Sequence, residues 1–287
     1  MPTPRVSFEF FPPQSLEASF RLWTTVQALA PLRPGFVSVT CGAGGTTRSL
    51  THEAATAIRR GAGLTVAAHL TCAGTSRAET LAVAEAHAEA GVTEIVALRG
   101  DAPGGGRFVP HPDGFATSVE LVEALARTGR FTIRVGAYPE PHPDAADPLA
   151  DVSWLRRKID AGASSAITQF FFDADTFLRF RDACAAAGIT APIIPGILPI
   201  TNWAAARKFA RRCGADVPLK LHEAFTTAAR DGREALLALA HCTALCDRLV
   251  RGGVEDLHFY TLNRPELTRE VVRALGVAPD AVLEKVA

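Results

Sequence analysis

Neither sign of charge dominates this sequence: 30 lysines and arginines stand against 30 aspartates and glutamates in 287 residues. A chain that grips a phosphate backbone is normally basic as a whole. The balance argues against nucleic acid as the main partner while leaving room for a local basic patch. Long apolar runs are also missing. No stretch reaches 18 residues, so no membrane span is expected. The N-terminus, MPTPRVSFEF, lacks the apolar core and cleavage site of a secretory leader, which makes a cytoplasmic location the expectation. CxxC is absent. Cys242 and Cys246 lie four apart with His241 beside them, but a structural zinc site needs four ligands at tighter spacing. The six cysteines therefore read as small core thiols in a reducing compartment, and no metal is expected. Nucleotide fingerprints are missing too. CGAGGTTR (41–48) fails G-x-G-x-x-G because the third glycine position falls on Thr47. GDAPGGGR (100–107) fails as well, and no GxxxxGK[ST] occurs.

What is present is alternation. β-rich runs at 5–11, 36–40, 64–70, 94–99, 132–138, 166–171, 192–198 and 256–262 are separated by alanine-rich helical stretches. Clear helical patterns cover 78–91, 155–162 and 176–188, the first two ending on Gly91 and Gly162. Strands alternating with helices give a parallel sheet. Eight of them, at the spacing of βα units, favour a closed (β/α)8 TIM barrel of the α/β class over an open doubly wound sheet. The span 201–250 is longer than one unit needs and predicts an extra helix before the last strand. No linker or composition break marks a second domain, so residues 1–287 read as one barrel.

In such a barrel the chemistry sits at the C-terminal ends of the strands. Seven of the eight strand ends carry a hydrogen-bonding or ionisable group: Glu9; Thr40; His69 with Thr71; Arg99 with Asp101; Tyr138, followed by His142; Thr168 with Gln169; and Tyr260, followed by Asn263 and Arg264. Only the seventh runs into Pro195-Gly196. Alternation along the first strand puts Val6, Phe8 and Phe10 against the helices and Ser7, Glu9 and Phe11 inside. A lone carboxylate in that wall loses hydration, so its pKa should rise and it can serve as a general acid. The alternative is an ion pair with Arg99 or another barrel cation, which would lower it. Asp101 could instead cap the next segment, Gly100 could serve a turn or a close ligand approach, and His69 could be a core histidine. Tyr138 and Tyr260 are the only tyrosines, and both fall at strand ends. The basic run Arg156–Arg157–Lys158 is either a solvated helix face or a phosphate contact at the barrel mouth.

Nine segments in order carry a resemblance: FEFFPP, SVT with its Gly-rich turn (38–45), AHLTC (68–72), LRGD (98–101), YPExHP (138–143), RRKIDAGA (156–163), ITQFFFD (167–173), IIPGILPITN (193–202) and HFYTLNR (258–264). Together they resemble the methylenetetrahydrofolate reductases of the bacterial, single-domain type, from residue 5 to about residue 275. The resemblance implies a single catalytic barrel without a regulatory domain, which binds FAD with no Rossmann motif. It implies ping-pong hydride transfer from NADH or NADPH, through FAD, to 5,10-methylenetetrahydrofolate. It also implies a homo-oligomer.

Residue by residue, the resemblance makes Glu9 the group that protonates the folate as its five-membered ring opens. Asp101 lies beside flavin and pterin. Gln169, Phe209, Tyr260 and Arg264 contact the folate, Arg264 through the substrate's glutamate carboxylate. The implied FAD contacts are Thr40, His69, the turn Leu98, Arg99, Gly100 and Asp101, then Ala116, Tyr138, His142, Asp151 and Lys158. Lys158 and His142 fall toward the pyrophosphate. Three positions depart from the family pattern: Cys41 replaces a common tyrosine, Trp154 a smaller polar residue, and Ala205 a glutamine. Two other readings remain open. Another flavin barrel, proline-dehydrogenase-like, would share the fold but has no need of Glu9. A catalytically silent folate-binding subunit would be expected to lose Glu9, Asp101 or Gln169, and all three are present.

Overall fold

The computed structural model describes residues 3–42, 47–101, 108–141 and 148–279, with backbone alone for 148–149. Among these, nine strands form one parallel sheet: β1 Arg5–Phe10, β2 Val37–Val39, β3 Val66–Thr71, β4 Glu94–Leu98, β5 Thr132–Ala137, β6 Ser165–Thr168, β7 Ile193–Ile194, β8 Gly196–Ile197 and β9 Asp256–Tyr260. Their order is β7-β6-β5-β4-β3-β2-β1-β9-β8. β7 pairs with β6 and β8 pairs with β9. The two are halves of the single stave expected at 192–198. Pro195 divides them because it has no N–H to give to a ladder. Its carbonyl still accepts from His258 N at 3.0 Å. The eight expected staves are therefore all present, and the ladder runs round to close the barrel.

Alternation along β1 comes out as the sequence predicts. Val6, Phe8 and Phe10 are buried in the cluster between barrel and helices, with Leu257 and Phe259 beside them. The opposite faces meet inside, where Phe36, Ala67, Val96, Ile167 and Ile194 fill the barrel. The interior is thus a packed core closed beneath its mouth.

The helices are α1 Leu16–Leu29, α2 Arg48–Ala62, α3 Arg77–Glu89, α4 Ser118–Arg127, α5 Pro148–Asp160, α6 Ala174–Ala186, α7 Trp203–Cys213, α8 Leu219–Arg230, α9 Glu234–Arg251 and α10 Pro265–Ala274. Side-chain caps explain the starts of α1, α3, α4, α6 and α7. Ser76 and Glu79 form a reciprocal capping box on α3, and Asp173 accepts from Asp175 N at the start of α6. Three helices, α7 to α9, occupy the long span before β9. The expected extra helix is there and a second accompanies it. Phe170 and Phe172 turn away from β6 to pack with Trp203, Ala206 and Phe225 in a separate cluster beneath these helices.

Candidate active site

Glu9 points into the barrel, its side chain 14% exposed. Two histidines face it: His69 Nε2 at 3.3 Å and His258 Nε2 at 3.9 Å from Glu9 Oε2. The expected rise in pKa is not found. Burial does push the carboxyl up, but the two imidazoles that face it outweigh burial and hold Glu9 at about 2. The barrel-cation alternative describes Glu9 better, with histidine in the place expected of Arg99. His258 is fully buried, and burial lowers its pKa against the pull of Glu9. Its Nδ1 lies 2.8 Å from Ser7 Oγ and its Nε2 3.4 Å from Ser38 Oγ. The ring stacks on Phe36 at 5.4 Å, and Phe36 in turn carries the Arg134 guanidinium on its face. Ser7, Ser38 and His258 were not singled out from the sequence. The signal was available, since His258 sits two before Tyr260 and shares its inward face.

The end of β1 is tied to the loop after β9. Thr261 Oγ1 donates to the Glu9 carbonyl at 2.6 Å. Phe11 N donates to Asn263 Oδ1 at 2.9 Å, and Asn263 Nδ2 returns a bond to the Phe11 carbonyl at 3.0 Å. Leu262 and Asn263 both adopt left-handed backbone, φ 52° and 53°, which costs a leucine most. Strain of this kind persists only where neighbours over-determine it, and the Asn263 bridge supplies that constraint. Phe11 itself is 41% exposed.

A cleft of about 510 Å³ opens beside this centre. Of the eleven residues that the resemblance makes FAD contacts, Leu98, Arg99, Gly100, Asp101, Ala116, Tyr138, Asp151 and Lys158 line it. Cys41, Gly42, Thr71 and Trp154 line it as well. Thr40 and His69 lie off its wall. Thr40 accepts at its carbonyl from Thr51 Oγ1, and His69 faces Glu9. His142 lies outside the described residues. Gly100 has φ +84°, and a Cβ there would come within 2.9 Å of Thr71 Cβ, so glycine is required by the turn itself. Asp101 is exposed at the rim.

Lys158 is the decisive group in the cleft wall. It is 5% exposed and donates to the Gly136 carbonyl. Burial depresses its pKa to about 8, against the opposing pull of Asp151. The basic run is thus divided: Lys158 turns inward, while Arg156 pairs with Asp160 on the surface. The first turn of α4 also borders the cleft, through Thr117 and Ser118. A helix N-terminus with a buried lysine across from it suits a phosphate group.

On the other flank, Tyr260 donates to the Thr168 carbonyl at 2.6 Å. Gly196 makes room for it, since a Cβ there would sit 2.6 Å from the tyrosine oxygen. Gln169 turns its Oε1 back onto Phe170 N at 3.0 Å. Phe209 of α7 stacks on Phe170 at 5.1 Å, and Arg264, the N-cap of α10, is exposed. Among the described residues, no group of three or more metal-ligating side chains occurs, and no helix is long and apolar enough to cross a membrane.

Comparison with known proteins places the chain among relatives. The chain is 44% identical to the 5,10-methylenetetrahydrofolate reductases of Pectobacterium carotovorum and Escherichia coli K12, over 96% of its length and 91% of theirs. It is 34% identical to methylenetetrahydrofolate reductase (NADH) 1 of Arabidopsis thaliana, where the match covers 97% of this chain and 49% of the plant protein. In fold it is similar to an uncharacterized Clostridium thermocellum protein that binds two copies of 5-methyl-5,6,7,8-tetrahydrofolic acid, with a TM-score of 0.59 over 96% of this chain and 95% of that one. At 9% identity that likeness concerns the fold alone. The family model for methylenetetrahydrofolate reductase matches residues 2–276, and the chain belongs to that family of oxidoreductases.

Proposed function

We propose that this chain reduces 5,10-methylenetetrahydrofolate to 5-methyltetrahydrofolate as a single catalytic barrel, with FAD as its cofactor and NADH or NADPH as hydride donor. The observation that carries this reading is the meeting of two features at one barrel mouth. One is a cleft with a buried lysine and a helix N-terminus; the other is an inward carboxylate flanked by two histidines. The residues fit a dinucleotide. Lys158 and the first turn of α4 would hold the pyrophosphate, with Asp151 at the ribose or adenine end. His69 Nε2, buried and off hydrogen-bond geometry, leaves polar capacity for a bound group. FAD supplies the two-electron relay that lets NAD(P)H and folate use one site in turn.

The chain's own residues do the rest. Glu9 lies against His69 and His258, so the proton for folate ring opening is held at this cluster and handed on by Glu9. Substrate that covers the mouth removes water from Glu9 and raises its proton affinity toward the value an acid needs. Asp101 at the rim orients the pterin and adds negative charge beside the flavin. Gln169, Tyr260 and Phe209 bind the folate, and Arg264 meets its glutamate.

Stopped-flow measurement of the two half-reactions tests this. Glu9→Gln should leave flavin reduction by NAD(P)H within about threefold and slow folate reduction by about a hundredfold or more. Equal loss in both half-reactions contradicts the assignment. Asp101→Asn should weaken folate binding and shift the flavin potential; unchanged values for both remove Asp101 from the site.

A further inference from the structure

Away from the mouth, on the outside of the barrel, two histidines meet between neighbouring helices. His52 belongs to α2 and His87 to α3. Their Nδ1 atoms stand 3.3 Å apart. His87 is 1% exposed and His52 is half-buried, so solvent reaches the pair from the His52 side. Two imidazolium rings cannot meet nitrogen to nitrogen, so at least one ring is neutral and offers a lone pair. The proposed reaction uses neither ring.

The separation has two readings. One is a proton shared between the nitrogens, a long hydrogen bond that favours a straight N–H···N line. The ring centroids, however, are 5.1 Å apart, closer than a straight line through both rings and a 3.3 Å gap permits, and the planes are inclined by 46°. The nitrogens are turned aside from each other, and an atom beside the line can meet both. The other reading fits the distance: two imidazoles on one tetrahedral ion, with bonds of about 2.0–2.1 Å, hold their nitrogens about 3.3–3.4 Å apart. A second polar group lies close by in the helix. Thr56 is one turn along α2 from His52, on the same face. Its Oγ1 is buried with no hydrogen-bond partner among the described residues, which leaves it free to bond a water held by an ion.

We propose that His52 and His87 form a two-histidine site for a divalent transition ion of the zinc class, which clamps α2 to α3. Imidazole nitrogen selects zinc, copper or nickel over magnesium and calcium, which take oxygen ligands. Two protein ligands leave the remaining positions to water, in keeping with the absence of any group of three among the described residues. Cysteine spacing gave no sign of this site, because the two histidines lie 35 residues apart on separate helices. The clamp serves stability. The helices α2 and α3 pack on β2 and β3, whose ends lead into the cleft wall at Cys41, Gly42 and Thr71. An ion held only by the folded chain stabilises it by mass action. The proposal stands independently of the folate-reductase reading.

The experiment titrates the purified full chain, stripped of metal by a chelator, with Zn2+ and separately with Mg2+, and follows the heat of binding and the Tm. The expected result is about one equivalent of zinc bound per chain, a Tm that rises with zinc, and no response to magnesium. Loss of a hydrogen bond behind a metal ligand already costs about 10–100-fold in affinity. His52→Gln removes a ligand itself, so it should weaken zinc binding by about a hundredfold or more and abolish the rise in Tm. His87→Gln should do the same; it alters a buried side chain, so His52→Gln decides the matter if that variant does not fold. His241→Gln, beside Cys242 on α9, is the control and should leave zinc binding unchanged. A wild-type chain that takes up no zinc overturns the site. So does uptake that His52→Gln leaves intact, or uptake that His241→Gln removes.

Discussion

Lys158 shows how a single side chain can oppose the fold and serve the site. Burial lowers its pKa from 10.5 to about 8, a shift worth roughly 3 kcal/mol of lost stability at neutral pH. The unfolded chain binds the extra proton between these two values, so stability of the flavin-free protein should rise as pH climbs from 8 to 10.5. Lys158→Met should raise the Tm of the flavin-free protein at pH 7 and at the same time release flavin. Thermal melts and the flavin content of the purified variant check both halves. A variant that loses stability and keeps its flavin shows that Lys158 is not an anion site. Glu9 has the opposite sign. Held at about 2 against an ordinary 4.5, it contributes stability above pH 4.5 that is lost as pH falls toward 2. Glu9→Gln should therefore flatten the acid limb of the stability profile, and an unchanged limb would show that the two histidines do not hold the carboxylate. The inward face of Glu9 was legible from alternation, but its protonation state was not. His258 could be placed on the inward face of β9 from alternation, but its distance from the Glu9 carboxylate could not, and that distance sets the protonation state.

Among the elements, the loop after β9 is the one tied to the end of β1 beside Glu9. Asn263 pairs with both backbone groups of Phe11 in the manner of one more rung of a sheet, and Thr261 grips the Glu9 carbonyl. Asn263→Ala removes the bridge and leaves two buried or half-buried backbone groups without partners. The expected result is a loss of about 1–3 kcal/mol in stability and a slower folate half-reaction, with flavin reduction affected less. Denaturant melts and stopped-flow traces measure both. Equal slowing of the two half-reactions would mark Asn263 as a fold residue only. Strands were legible where β-branched and aromatic residues recurred at alternate positions, as Val6, Phe8 and Phe10 do in β1 and Ile133 and Val135 in β5. Boundaries moved where a local residue overruled the pattern: Pro195 split one stave in two, the left-handed Leu262 and Asn263 ended β9 early, and Ser76 and Asp173 drew α3 and α6 forward. The second additional helix before β9 was not legible, because length alone shows that a span is too long without showing how it divides.

At the scale of the whole molecule, closure of the sheet is what brings distant residues to one place. Glu9, Asp101, Lys158 and Tyr260 stand far apart in sequence, and the barrel gathers the ends of its strands at a single mouth. The absence of a Rossmann fingerprint removed one mode of nucleotide binding, and the cleft under α4 and α5 is the one we propose in its place. The central claim is that this mouth passes two electrons from a nicotinamide to a folate in separable steps. An anaerobic titration of the flavin-loaded protein tests it most directly. NADH or NADPH should bleach the visible flavin band with no folate present, and 5,10-methylenetetrahydrofolate added afterwards should restore it with formation of 5-methyltetrahydrofolate. A purified protein that is colourless and takes up no added FAD, or a band that bleaches and does not return, contradicts the account.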